Sequence, residues 1–240
     1  MQQRKTNTGA RKWQNYRPKP DRKSRAQLFA RAIQRLRSHG EARLAAKIGF
    51  VIDATGSRSA TWEEAQIIQA RMFESLAGSP STKLRIVYFG GGEVSDLGWE
   101  QSADIVARRM AEVSCRPGFT DILPSLARFL EKDEAGPASA IILIGDAYEE
   151  GPGDVEPLAQ QLKSAGIKVF AFLEGEGTEA ARAFSAFAEI TDGKFARFGD
   201  ELPLSDLCEG VALLTSGGSK GVKRIRNKNV RLLLSGPPNK

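Results

Sequence analysis

The sequence predicts an α/β protein with a doubly wound, mostly parallel central sheet flanked by helices on both faces, a Rossmann-like arrangement. Three observations carry this reading. Apolar runs alternate with stretches of helical period from residue 47 to residue 217. The runs are continuously apolar, as in AIILIG (140–145), which is the pattern of strands covered on both faces. The intervening stretches are long enough to cross over and return the chain parallel to the strand before.

The elements follow in order. Residues 1–20, MQQRKTNTGARKWQNYRPKP, are polar, basic and contain proline, and are expected to be a disordered tail. Residues 21–43 read as a basic amphipathic helix and its connection. Leu28, Phe29, Ile33 and Leu36 share one face, Arg31 and Arg35 lie off it, and Gly40 stops it. The main domain is expected over 44–217. KIGFVID (47–53) is a buried strand, 61–78 a helix ending at Gly78, and KLRIVYFG (83–90) a second strand. GGEVSDLGW (91–99) holds a short third strand, and 99–113 and 121–132 are helices, with Pro124 in the first turn of the latter. SAIILIG (139–145) is the most apolar strand. A helix over 154–166, a strand over 167–175, a helix over 178–193, a strand over 194–199 and a last helix over 202–218 complete the domain. Residues 218–240 are expected to form a basic C-terminal tail.

The charge is divided unevenly. Residues 1–40 hold 12 Lys and Arg against one acid, and 217–240 hold seven against none, leaving 16 bases against 28 acids between them. An acidic body with basic ends points to anionic partners at the ends. Arg4, Lys5, Arg11, Lys12, Arg22, Lys23, Lys223, Arg224 and Arg226 are the candidate anion-binding residues. Such density with Trp13 and Tyr16 interleaved makes nucleic acid a candidate partner, bound without regard to sequence. The helix at 22–38 reads alternatively as lying on an anionic membrane surface, or, the favoured reading, as packing its Leu28/Phe29/Ile33/Leu36 face on the main domain or on a partner while its arginines meet an anionic one.

Other classes are excluded or disfavoured. No apolar run approaches the roughly 20 residues needed to cross a bilayer, and no secretory signal pattern opens the chain. Cys115 and Cys208 are too few and too far apart for a disulfide framework, so a reducing, cytoplasmic location is expected. One histidine, His39, leaves no histidine-based metal site. The GGG at 90–92 lacks the Lys-Ser/Thr of a phosphate-binding loop and reads as a flexible turn. Trp62 and Trp99 read as packing residues.

Three segments place oxygen ligands where an α/β sheet presents its sites, at the carboxyl ends of strands. They are Asp53-x-Thr55-x-Ser57 after the first strand, Gly118-Phe119-Thr120-Asp121 before a helix, and Gly145-Asp146 after the most apolar strand. Carboxylates and hydroxyls without sulfur or imidazole suit Mg²⁺, Mn²⁺ or Ca²⁺. Neutral hydroxyls leave such an ion electrophilic, so it would accept one more anionic oxygen from a partner. Each hydroxyl taken alone is equally well explained as satisfying turn and helix-start amides.

The order D-x-T-x-S, then a Gly-x-Thr loop, then an aspartate after an apolar strand resembles the von Willebrand factor A (VWA) domain and its metal-ion-dependent adhesion site (MIDAS). The DATGS variant is similar to an intracellular, bacterial-type subgroup. AGIKVFAFLEG (165–175) and ITDGKFARFGD (190–200) also resemble later segments of that family. The resemblance covers residues 44–217 and implies Asp53, Thr55, Ser57, Thr120 and Asp146 as metal ligands. No enzymatic activity is expected, since hydroxyl ligands are unusual for two-metal phosphoryl chemistry. The resemblance implies an adaptor whose cation is completed by an acidic protein partner, such as a separate AAA-type ATPase or assembly subunit. Arg58 departs from the subgroup, and beside the site it would guide an acidic partner or oppose the cation. Asp121 would add a nearby carboxylate, and Glu149, with Glu150 and Asp154, would be solvated or form the rim. The competing readings are a protein associated with DNA or RNA through its tails, and a Mg²⁺-dependent hydrolase built on Asp53 and Asp146. The hydrolase lacks an evident general base.

Overall fold

The computed structural model describes residues 46–60, 62, 82–133 and 136–236. The expectations for 1–43, including Arg4, Lys5, Arg11, Lys12, Arg22, Lys23 and His39, lie outside the described residues. So does the helix over 61–78, apart from Trp62.

Six strands form one sheet: β1 Lys47–Asp53, β2 Lys83–Gly90, β3 Glu93–Glu100, β4 Ala140–Gly145, β5 Lys168–Leu173 and β6 Lys194–Arg197. Their order is β3-β2-β1-β4-β5-β6. Every neighbouring pair is parallel except β2 with β3. The chain starts in the middle of the sheet and builds outward to one side, then returns to build the other. The strand order therefore reverses between β1 and β4, and their carboxyl ends open the crevice such sheets use for ligands. The register pairs Ile52 with Ile144, so Asp53 comes level with Gly145.

Among the described residues the helices with given bounds are α1 Ala103–Glu112, α2 Ile122–Ala127, α3 Val155–Ser164, α4 Thr178–Ile190, α5 Leu204–Val222 and α6 Lys228–Ser235. Alternation along β1 splits the core in two. Ile48, Phe50 and Ile52 pack with Val106 and Met110 of α1 and with Leu207, Cys208 and Val211 of α5. Val51 faces the other way, toward Ile122 and Leu126 of α2, Ala159 and Leu162 of α3, and Phe184 and Phe187 of α4. Burying each of the Val, Leu, Ile, Met and Phe side chains among these contributes about 1.5–3 kcal/mol. The two-sided burial explains why the strands lack polar alternation.

Three elements differ from expectation. β3 is eight residues long, and α1 starts only at Ala103, with Ser102 Oγ accepting the Ile105 N–H at 3.4 Å. The cause is the GGG turn. Gly91 and Gly92 both have positive φ (69° and 74°), the geometry of a tight hairpin, so β3 pairs locally and at length with β2. The turn is thus the two-residue corner of a hairpin. The helix expected over 121–132 is α helical only to Ala127 and closes with a 3₁₀ turn over Arg128–Leu130.

The third difference is at the C-terminus. Residues 218–236 are folded rather than a tail. α5 passes through a kink at Gly218 (φ 53°, ψ −136°) and α6 follows. Ile225, Val230 and Leu234 enter the same core as α5. Asn227 accepts the N–H groups of Asn229 (2.9 Å) and Val230 (3.2 Å) and donates to Asp206 Oδ2 (2.8 Å). Lys194 Nζ donates to Gly236 O at 2.8 Å. The basic residues between the apolar ones hid this helix in the sequence.

Candidate metal centre

Asp53 ends β1 with its side chain fully buried. Its Oδ1 accepts the Thr55 N–H at 2.8 Å, which bends the chain out of the strand, while Oδ2 has no hydrogen-bond partner. The bend sets Thr55 Oγ1 3.0 Å from Ser57 Oγ. Asp146 follows β4, and its Oδ1 is likewise buried and unpartnered. The two strands are neighbours, and a Cβ built on Gly145 would lie 3.3 Å from Asp53 Oδ2.

The loop carrying Thr120 is stitched to the same place. Arg116 N–H donates to Ala54 O at 3.0 Å, and Gly118 lies against the hairpin corner, where a Cβ would meet Gly92 N at 2.8 Å and Gly91 N at 2.9 Å. Thr120 is buried. Its Oγ1 accepts the Glu149 N–H (2.8 Å) and donates to Glu150 Oε2 (2.6 Å), and its own N–H donates to Glu149 Oε2 (2.9 Å). Glu150 Oε1 also accepts the Leu123 N–H at 2.9 Å at the start of α2. Glu149 and Glu150 therefore clasp the threonine loop to the segment that begins at Asp146. They were expected as a solvated loop or rim. Glu149 is exposed and Glu150 half-buried, yet both are structurally engaged. Asp121, half-buried at the start of α2, makes no capping bond, and its Oδ2 has no partner.

Arg58 lies beside the site as expected, but the structure corrects one of the two roles expected of it there. It is 1% exposed, so it does not reach out to guide a partner. Its Nη1 donates to Asp53 O at 3.1 Å, and its Nε and Nη2 donate to Glu174 Oε2 at 3.1 and 2.9 Å. Its guanidinium also stands 5.9 Å from the Trp62 ring centre. Glu174, directly after β5, was missed by the sequence reading. A carboxylate at a strand's carboxyl end was the available signal.

Burial pushes Asp53 up to about 6, and the nearby Asp146 charge acts in the same direction; hydrogen bonds from Thr55 and the charge of Arg58 pull it back. Burial raises the Cys115 thiol to about 11, so this half-buried thiol near Ser59 and Arg58 offers no thiolate. Among the described residues no group of three or more His, Cys, Asp and Glu is arranged to hold a metal. The candidate set instead has two carboxylates supplemented by hydroxyls. Two buried carboxylate oxygens without partners, on adjacent strand ends, are costly unless something positive meets them. Thr120 Oγ1 keeps one lone pair uncommitted. The donors fit a hard divalent cation.

No family model and no curated protein matches the sequence. Solved structures do match. The VWA domain of SpRpn10 aligns over 65% of this chain and 88% of its own, at 11% identity and a TM-score of 0.53. The fold is the VWA fold. The conserved hypothetical protein BatB from Bacteroides thetaiotaomicron matches over 73% of this chain and all of its own, at 17% identity and TM-score 0.57. Proximal thread matrix protein 1 of the mussel byssus, solved with a zinc-occupied MIDAS motif, matches over 71% of this chain and 45% of its own, at 20% identity and TM-score 0.57. At these identities the likeness is one of fold. Among the described residues of this VWA fold, no helix is long and apolar enough to cross a membrane.

Proposed function

We propose that this chain is a metal-ion-dependent protein-binding module, acting as a cytoplasmic adaptor in a multi-protein assembly. The observation that carries the reading is the pair of buried, unpartnered oxygens, Asp53 Oδ2 and Asp146 Oδ1, at the switch point of a VWA fold. Asp53, Thr55, Ser57, Thr120 and Asp146 would hold Mg²⁺, Mn²⁺ or Ca²⁺. When bound, the ion supplies an electrophilic centre that accepts a carboxylate oxygen from a partner, such as a separate AAA-type ATPase or assembly subunit. The chain's own groups do the positioning. Arg58 holds the Asp53 carbonyl, Thr55 N–H orients Asp53 Oδ1, and Glu149 and Glu150 fix Thr120.

The test is thermal unfolding of wild type and Asp53→Asn in EDTA and with excess Mg²⁺, Mn²⁺ or Ca²⁺. An ion that binds only the folded state raises the midpoint by mass action. A rise in wild type that disappears in the variant supports the reading, and no rise with any of the three ions overturns it.

A second reading has its own observation. Lys220, Lys223, Arg224, Arg226, Lys228 and Arg231 are all exposed on the α5–α6 corner, and no acid follows Glu209 in the sequence. A folded cationic surface of this kind suits the phosphate backbone of DNA or RNA. Binding of a random-sequence duplex that weakens steeply with salt, and less steeply after Lys223→Glu with Arg226→Glu, would support it.

A further inference from the structure

Phe119 is 77% exposed, and Leu232 is the other large hydrophobic side chain similarly displayed among the described residues. Single exposed aromatics are common on soluble proteins. What distinguishes Phe119 is how it is held. The residue before it is packed on the Gly91–Gly92 corner. The residue after it, Thr120, is buried and fixed by three hydrogen bonds to Glu149 and Glu150. The backbone is thus pinned on both sides of an aromatic ring that points its surface at solvent. Ordering such a side chain on binding costs little, and a rigid aromatic is the type of residue that anchors interfaces. It also immediately precedes a proposed ligand of the cation.

The charges around it set a second condition. Glu149 and Asp154 are exposed and Glu150 and Asp121 half-buried, while the exposed cation on the same loop, Arg116, is paired with Glu93 at 3.5 Å. A bound cation attracts one carboxylate, but this rim repels further negative charge beyond it.

We propose, resting on the metal-dependent reading above, that the partner segment carries a single carboxylate with an aromatic or branched aliphatic side chain within about two residues of it. The carboxylate meets the cation and the apolar side chain packs on Phe119. An acidic run is rejected by the rim. The spacing follows from geometry: Phe119 is adjacent to Thr120 in the chain, and an extended peptide advances about 3.3 Å per residue.

The experiment selects random peptides displayed on phage against the full-length chain, in Mg²⁺ and in EDTA. The expected outcome is Mg²⁺-dependent enrichment of peptides with one Asp or Glu beside an apolar residue. Those peptides should lose about ten-fold or more in affinity to Phe119→Ser. The ion-induced rise in unfolding temperature should persist in that variant, which shows that the fold and ion site are intact. Enrichment of acidic runs, peptides without the apolar neighbour, or unchanged affinity for Phe119→Ser overturns the inference while leaving the ion-dependent reading standing. Peptides that bind equally in EDTA or to Asp53→Asn overturn both.

Discussion

Arg58 donates to Glu174 at 2.9 Å and joins the loop after β1 to the end of β5, two strands away across β4. Arg58 is 1% exposed and Glu174 27%. The pair spans the strand whose end carries Asp146, so it ties together the segments from which the candidate site is built.

Removing one member of a buried pair leaves the other poorly compensated. Glu174→Ala is expected to destabilise the fold by about 2 kcal/mol, discounted from larger values because Glu174 is partly solvated. Urea unfolding measures it. A change within the roughly 0.5 kcal/mol typical of surface substitutions would remove the pair from this role.

The pH response of the ion-free chain has a definite sign. Asp53 is raised from an ordinary 3.8 to about 6 in the fold. Between these values the native state holds a proton that the unfolded chain has released. Its contribution is therefore fully present below about 4 and is lost as pH rises through 6. The contribution is on the order of 3 kcal/mol. The stability difference between wild type and Asp53→Asn, measured in EDTA from pH 4.5 to 7.5, should move against wild type as pH rises. Mg²⁺ affinity should move the other way and weaken below pH 6, where the proton competes for the same carboxylate.

Thr120→Val keeps the shape of the side chain and deletes its hydroxyl. The Glu149 N–H and Glu150 carboxylate each lose a partner, at a cost of about 1–3 kcal/mol. The ion-induced thermal shift should also fall. Thr120→Ser should restore both, and a valine variant with full ion response would exclude the hydroxyl as a ligand.

The C-terminal helix is expected to behave as core. Leu234→Ala should cost about 2–4 kcal/mol, because Leu234 is buried with α5. Chemical unfolding distinguishes this from a tail, in which the same change would be silent.

Much of this architecture is legible in the residues. The unbroken apolar runs of β1, β4 and β5 foretell a parallel sheet, since strands covered on both faces need no polar side. Asp53 and Asp146 are recognisable because each ends such a run. Arg58 was misread because its charge suggests solvent, whereas Glu174 and the Asp53 carbonyl supply the partners that let it be buried. The helix at 228–235 was missed because its amphipathic face needs α5 to pack against before it has a reason to form.

The sequence by itself determined the periodicities and therefore the strands, the helices and the oxygen donors at strand ends, because these depend on neighbours along the chain. Only the tertiary structure decided which donors share a place. It set Asp53 beside Gly145 through register, hung Thr120 on Glu149 and Glu150, and turned Arg58 inward to Glu174. Those relations join residues 29 to 116 positions apart. They are fixed by strand order and packing, which no local pattern encodes.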